Sequence, residues 1–245
     1  MRAFVAYCAA EGVKSLKLVI SGEDALKPGS SQDILYTDAE MIAAGEAARE
    51  AGLWIATHAY SPRAINLALE AGARILYHCS FADDAAVDAM AAKKDAIFYA
   101  PGPGVSVAAL EASPPPHIDM RSMKASGRAA GTGKDIGAQI EGARRARPAG
   151  RRLWLPFNPH GRNARDLEHF VTYYGFTPAE ALHAATMLGG ELMDQPLGQV
   201  KPGYLADLLL VEGDPTTDVR LLQDAANIKM IMLGGRMHKS PCPSP

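Results

Sequence analysis

LWIATHAYSPRAINLALEAGARILYH, residues 53–78, holds two short apolar runs separated by one amphipathic segment. Leu53 to His58 and Arg74 to His78 are short and bounded by glycine or turn residues, which is the signature of buried strands. Between them, Ser61-Pro62 opens a helix, with the serine hydroxyl available to cap free N–H groups and proline fitting the first helical position. That helix ends near Gly72. Two β-runs joined by a crossover helix predict a parallel pair.

The same unit recurs on both sides. Leu16 to Ile20 reads as the preceding strand, and Thr37-Asp-Ala-Glu40 is a capping box that starts a helix ending at about Gly52. Downstream, Asp83 to Lys93 reads as a helix and Ala96 to Ala100 as a further strand. Strand and helix therefore alternate at nearly constant spacing, which implies an α/β barrel or a doubly wound sheet. Further along, Asn163 to Gly175 is an amphipathic helix, with Leu167, Phe170 and Val171 on one side. Thr177-Pro178-Ala-Glu180 opens another with a second capping box. Ala206 to Val211 and Ile228 to Leu233, bounded by Gly213-Asp-Pro215 and Gly234-Gly235, read as strands of a small antiparallel layer.

Composition narrows the function. The 245 residues are 48% hydrophobic and 21% charged, enough to bury a sizeable core, and the net charge of −2 gives no general attraction to nucleic acid or to an acidic membrane surface. Cys8, Cys79 and Cys242 are odd in number and widely spaced, so neither a disulfide framework nor a thiolate zinc site is expected, and a reducing cytoplasm fits best. No apolar run approaches the roughly 20 residues needed to span a bilayer, and the first 13 residues lack the pattern of an export leader. Residues 121–152 carry nine basic side chains against two acidic ones, a local charge of +7. Without interleaved aromatics this run reads as a solvated basic stretch rather than a nucleic-acid contact.

Lys17, His58 and His78 lie in or at the ends of successive β-runs. In a parallel barrel the C-terminal strand ends form one rim, where polar residues converge. Neutral imidazoles on such a rim suit a borderline cation such as Zn²⁺. A single histidine of this kind reads as readily as a hydrogen-bonded core residue; two on consecutive strands give the metal reading its weight. Pro101-Gly-Pro-Gly104 raises the alternative of a phosphate-binding barrel, but no helix start of the phosphate-cradling kind is apparent after it.

The wording around these positions resembles the amidohydrolase superfamily, in its imidazolonepropionase-like and prolidase-like branch. The resemblance rests on residues 12–22, Ala56-Thr-His-Ala-Tyr60, Ile75-Leu-Tyr-His-Cys-Ser-Phe81, His160-Gly-Arg-Asn-Ala-Arg-Asp-Leu-Glu168 and residues 177–193. Its most specific part is residues 197–215, which look like the stretch where that family's chain leaves the barrel to complete a β-sandwich. In all it covers about residues 10–115 and 157–239.

The resemblance implies a partial TIM-type (β/α) barrel over 1–195 and a C-terminal fragment of a small β-sandwich over 196–239; the last residues, 240–245, read as a disordered tail. It implies Lys17 as a carboxylated, ion-bridging lysine, His58 and His78 as metal ligands, one or two divalent ions with zinc foremost, and hydrolysis of a C–N bond in a small-molecule substrate by metal-activated hydroxide. His160 and Tyr60 fall where substrate-facing residues could sit, or are ordinary loop residues. A homo-oligomer is compatible with this reading; nucleic-acid and membrane partners are not expected.

Two departures shape the expectation. No histidine precedes His58, so the family's strand-one His-x-His has no counterpart and the early barrel strands are expected to be missing. Residues 151–157 contain no carboxylate where the resemblance implies the aspartate that takes up the water's proton. The chain is accordingly expected to be an inactive fragment, poorly soluble through its unpaired strand edges. The contrasting possibility is a non-catalytic half-barrel that binds a partner.

Back-translated with permitted codons and read one base later, residues 147–155 can give Val-Leu-Pro-Ala-Gly-Asp-Tyr-Gly-Phe, which supplies the missing aspartate. Compensating frame errors across 121–156 are the hypothesis this suggests. Resequencing the gene is expected to reveal them, and an unambiguous in-frame read overturns the idea.

Overall fold

The computed structural model describes residues 1–24, 27–112 and 161–241. The basic stretch, the frame-shift hypothesis, His160 and the tail from Cys242 onward lie outside the described residues. Four strands, β1 (Ser15–Val19), β2 (Trp54–Ala59), β3 (Ile75–His78) and β4 (Phe98–Ala100), form one parallel sheet in the order β1-β2-β3-β4. Sequential neighbours with helical crossovers are the arrangement the alternating pattern predicts.

Each crossover forms for a local reason. Helix α1 (Arg2–Ala10) precedes β1, burying Val5 and holding α2 (Asp38–Glu50) through Arg2 bonds to Glu46 and Glu50. It was not apparent in the sequence, because Phe4, Val5, Ala6 and Tyr7 are apolar side by side and give no helical period. Helix α2 starts at the Thr37–Glu40 capping box, with both reciprocal bonds present. Helix α3 (Pro62–Glu70) starts at Ser61 with proline at the first position and buries Ile65, Leu67 and Leu69. Asp83 caps α4 (Asp84–Ala92) by accepting from the Ala86 amide.

The helices cover one face of the sheet. Leu16, Leu18, Ile55, Thr57, Ala59 and Leu76 on that face are nearly inaccessible and pack with Met41, Ile65 and Met90. Each fully buried Leu, Ile or Met of this core contributes about 1.5–3 kcal/mol. The opposite face bears Lys17, Val19, His58, Tyr77 and Ala100, and carries the candidate site.

A helix does follow Pro101-Gly-Pro-Gly104: α5 (Gly104–Glu111) begins at Gly104. Its Pro103 cap makes no side-chain hydrogen bond, and one helix start is by itself no phosphate site.

After the undescribed segment, α6 (Arg165–Tyr174) ends at Gly175, whose φ of 74° is the left-handed turn glycine tolerates. Helix α7 (Pro178–Ala185) begins with the second complete capping box, at Thr177 and Glu180. Helix α8 (Met187–Met193) follows. Strands β5 (Leu208–Val211), β6 (Ile228–Leu233) and β7 (Arg236–Lys239) make the expected antiparallel layer, in the order β5-β6-β7. Its connection to the rest runs through a 3-10 turn, Val219–Gln223, which buries Val219 and bonds Glu168 of α6 through Gln223. Among the described residues no helix is long and apolar enough to cross a membrane.

Two contacts give direct tests of this packing. A Cβ on Gly45 of α2 would lie 2.1 Å from the carbonyl oxygen of Ala71. Gly→Ala in a helix interior ordinarily gains about 1 kcal/mol, but relieving this clash forces backbone movement costing about 1–3 kcal/mol. Gly45→Ala is therefore expected to lower stability in urea unfolding, and a stabilised variant contradicts the close approach.

Arg74, just before β3, donates twice to Asp194 at 2.6 Å and once to the Glu191 carbonyl, tying α8 to the sheet. The Arg74 hydrogen bonds hold the Asp194 carboxyl below its usual range. A depressed carboxyl stabilises above its unfolded value, near 4, and that contribution fades as pH falls through the folded value. Asn tolerates the left-handed φ of 52° at this position, so Asp194→Asn isolates the charge. It is expected to cost about 1 kcal/mol or less at pH 7, with the difference shrinking as pH is lowered, read by paired melts.

Candidate metal centre

The parallel register sets the positions. Lys17 pairs with Ala56, Val19 with His58, His58 with Tyr77 and Ala59 with His78. Side chains paired across a strand share a face and successive ones alternate. Lys17, His58 and Tyr77 therefore share the face opposite the helices, whereas His78, one residue beyond Tyr77, is due on the other.

The backbone resolves the conflict. His78 has φ 72° and Cys79 φ 50°, two successive non-glycine residues in the left-handed region. Each such residue costs about 1–3 kcal/mol and persists only where its surroundings impose it, typically at functional positions. Here the Cys79 amide donates to the Ala59 carbonyl at 2.9 Å, and the Tyr99 hydroxyl donates to the His78 carbonyl at 3.3 Å. The reversal breaks the pleat and brings the His78 ring to 4.7 Å from that of His58, centroid to centroid, edge-on at 72°.

Tyr60 completes the cluster. It is 7% exposed, stacks on His78 at 4.8 Å and 19°, and meets His58 edge-on at 4.8 Å. Its amide donates to the Ser21 hydroxyl at 2.9 Å, because the chain leaving β1 continues alongside β2 through Ile20 and Ser21 bonds to the His58 carbonyl. That path carries Gly22 and Glu23 over His58.

Each imidazole has one nitrogen facing a carbonyl. His58 Nε2 lies 3.4 Å from the Gly22 oxygen, and His78 Nδ1 lies 3.3 Å from the Pro101 oxygen. A carbonyl only accepts, so each contact is a hydrogen bond in the tautomer that puts the proton on that nitrogen. The lone pairs then fall on His58 Nδ1 and His78 Nε2, the state in which imidazole ligates a metal with its other nitrogen anchored by a second group.

Lys17 sits lower than the sequence suggests. It is the middle residue of β1, two residues before the position paired with His58, and its ammonium lies 4.3 Å from the centre of the Tyr77 ring. The structure thus gathers His58, Tyr60 and His78 directly and puts Lys17 beside them through Tyr77, whose ring is 6.2 Å from that of His78. Cys79 is fully buried, and burial pushes its thiol far above the usual range, so it supplies no thiolate.

The donors fit a divalent cation in kind: two imidazoles, His58 buried and His78 half-buried, each with one nitrogen facing a carbonyl. They do not fill a coordination shell, for among the described residues no group of three or more His, Cys, Asp or Glu side chains is arranged to hold a metal ion. Sequence reasoning missed Glu23. Its carboxylate accepts from the Tyr60 hydroxyl at 3.2 Å and stands 3.9 Å from His58 Nε2. The available signal was its place just beyond β1, on the rim where barrel sites collect polar groups.

Known proteins share this architecture. The amidohydrolase family model matches residues 27–238. The ochratoxinase of Aspergillus niger is 26% identical over 236 residues, covering 94% of this chain and 47% of that enzyme. Its crystal structure superposes with a TM-score of 0.83 at 23% identity, over 98% of this chain and 54% of that one. A putative prolidase from Bifidobacterium longum gives 0.83 at 25% identity, over all of this chain and 60% of its own. A Xaa-Pro dipeptidase with methionine bound in its active site gives 0.81 at 24%, over 98% and 58%. The chain spans about half the length of the curated relatives it matches. With a family model matched along most of its length, the chain belongs to the amidohydrolase family.

Proposed function

We propose that this chain carries part of the site of a metal-dependent hydrolase of C–N bonds in small molecules, an amide, cyclic amide or dipeptide. The observation that carries the reading is the His58–His78 pair, 4.7 Å apart, with a carbonyl on one nitrogen of each ring. The name of the similar Xaa-Pro dipeptidase favours a dipeptide among these classes.

His58 and His78 would hold the cation, zinc before others because imidazole is a borderline ligand. Lys17, on the same face, would join them if carboxylated, its neutral amine adding carbon dioxide and releasing a proton. A divalent cation held there would supply Lewis-acid activation of water and of the scissile carbonyl. Tyr60 blocks one face of His78 and limits the ring's rotation. No carboxylate stands in residues 151–157 to accept the proton of the attacking water. The chain alone therefore binds the cation and turns over no substrate.

The test is metal content after zinc loading and exhaustive dialysis. We expect about one zinc per chain, lost in both His58→Ala and His78→Ala while the fold is retained by circular dichroism. A folded chain that retains no zinc, or variants that keep it, contradict the proposal and favour a non-catalytic half-barrel.

A further inference from the structure

The segment after β1 does more than connect. Its first turn puts a carbonyl, from Gly22, and a carboxylate, from Glu23, over the Nε2 edge of His58. The Glu23 side chain is 15% exposed, so its charge is only partly screened by water. One carboxylate oxygen accepts from the Tyr60 phenol at 3.2 Å, and the other faces His58 Nε2 at 3.9 Å. Tyr60 in turn stacks on His78. A single carboxylate thus reaches both imidazoles, one directly and the other through an aromatic ring.

We propose that Glu23 is a positioning residue of this site, clamping Tyr60 through its phenol and fixing His58 in the tautomer that presents Nδ1 to a cation. The inference rests on the metal-site reading above for the cation, but not for the clamp. The Gly22 bond is long at 3.4 Å, near the limit of useful strength, so the carbonyl alone holds the tautomer weakly. A negative charge facing the same nitrogen favours a proton there over one at Nδ1. Carboxylates behind metal-binding histidines act in this way, and removing them typically weakens metal binding about 10–100-fold.

The arms separate the two ends of the clamp. Glu23→Gln keeps an oxygen for the Tyr60 hydroxyl but loses the charge at His58. Tyr60→Phe releases the phenol and leaves the charge in place.

The experiment has two readouts on the full chain. In metal-free protein, long-range proton–nitrogen NMR of labelled histidines reports the His58 tautomer. We expect Nε2–H in the parent chain and in Tyr60→Phe, and a mixture of tautomers in Glu23→Ala and Glu23→Gln. Zinc affinity, by chelator competition, is expected to fall about 10–100-fold in Glu23→Ala, with a smaller loss in Glu23→Gln. An unchanged His58 tautomer in both Glu23 variants overturns the proposal, as does unchanged zinc affinity in Glu23→Ala when the parent binds zinc. If the parent binds no zinc but the tautomer moves, the positioning role is upheld and only the cation reading falls.

Discussion

The register between β2 and β3 places His58 opposite Tyr77, so two histidines on neighbouring strands face opposite sides unless the backbone intervenes. It intervenes at His78 and Cys79, where two successive left-handed residues turn the His78 ring back onto His58. Everything proposed about the site depends on that reversal. Its strain, a few kcal/mol by ordinary magnitudes, is offset by the Cys79 and Tyr99 hydrogen bonds and by stacking on Tyr60.

The second dependence is on desolvation. His58 is 1% exposed and Tyr60 7%, so an imidazole proton there must find a protein acceptor. The carbonyls of Gly22 and Pro101 meet that need from two different loops at the C-terminal ends of β1 and β4. The same geometry favours a proton on the nitrogens that face these carbonyls and leaves the others for a ligand. A site of this kind is preorganised by its supports, and the supports belong to loops while the rings belong to strands.

Much of this was legible in the sequence. Thr37-x-x-Glu40, Ser61-Pro62 and Thr177-Pro178-x-Glu180 mark helix starts because the residues that announce them also make the capping bonds. The strand runs were legible because parallel strands buried on both faces are short and apolar. What escaped reading depends on contacts distant in sequence. Helix α1 is held by packing and by Arg2 rather than by an amphipathic period. The reversal at His78 has no glycine to announce it. Glu23 reaches Tyr60 across 37 residues, and only the path of the chain along β2 brings them together. Lys17 lies lower than a strand-end residue, which the register reveals and composition does not.

The central claim is that His58 and His78 hold one cation between them. Crystals of the zinc-loaded chain, with anomalous diffraction collected at the zinc edge, address it most directly. The account predicts a peak about 2.0–2.1 Å from His58 Nδ1 and His78 Nε2. A peak on the opposite nitrogens, one elsewhere in the molecule, or none at full zinc loading would contradict it.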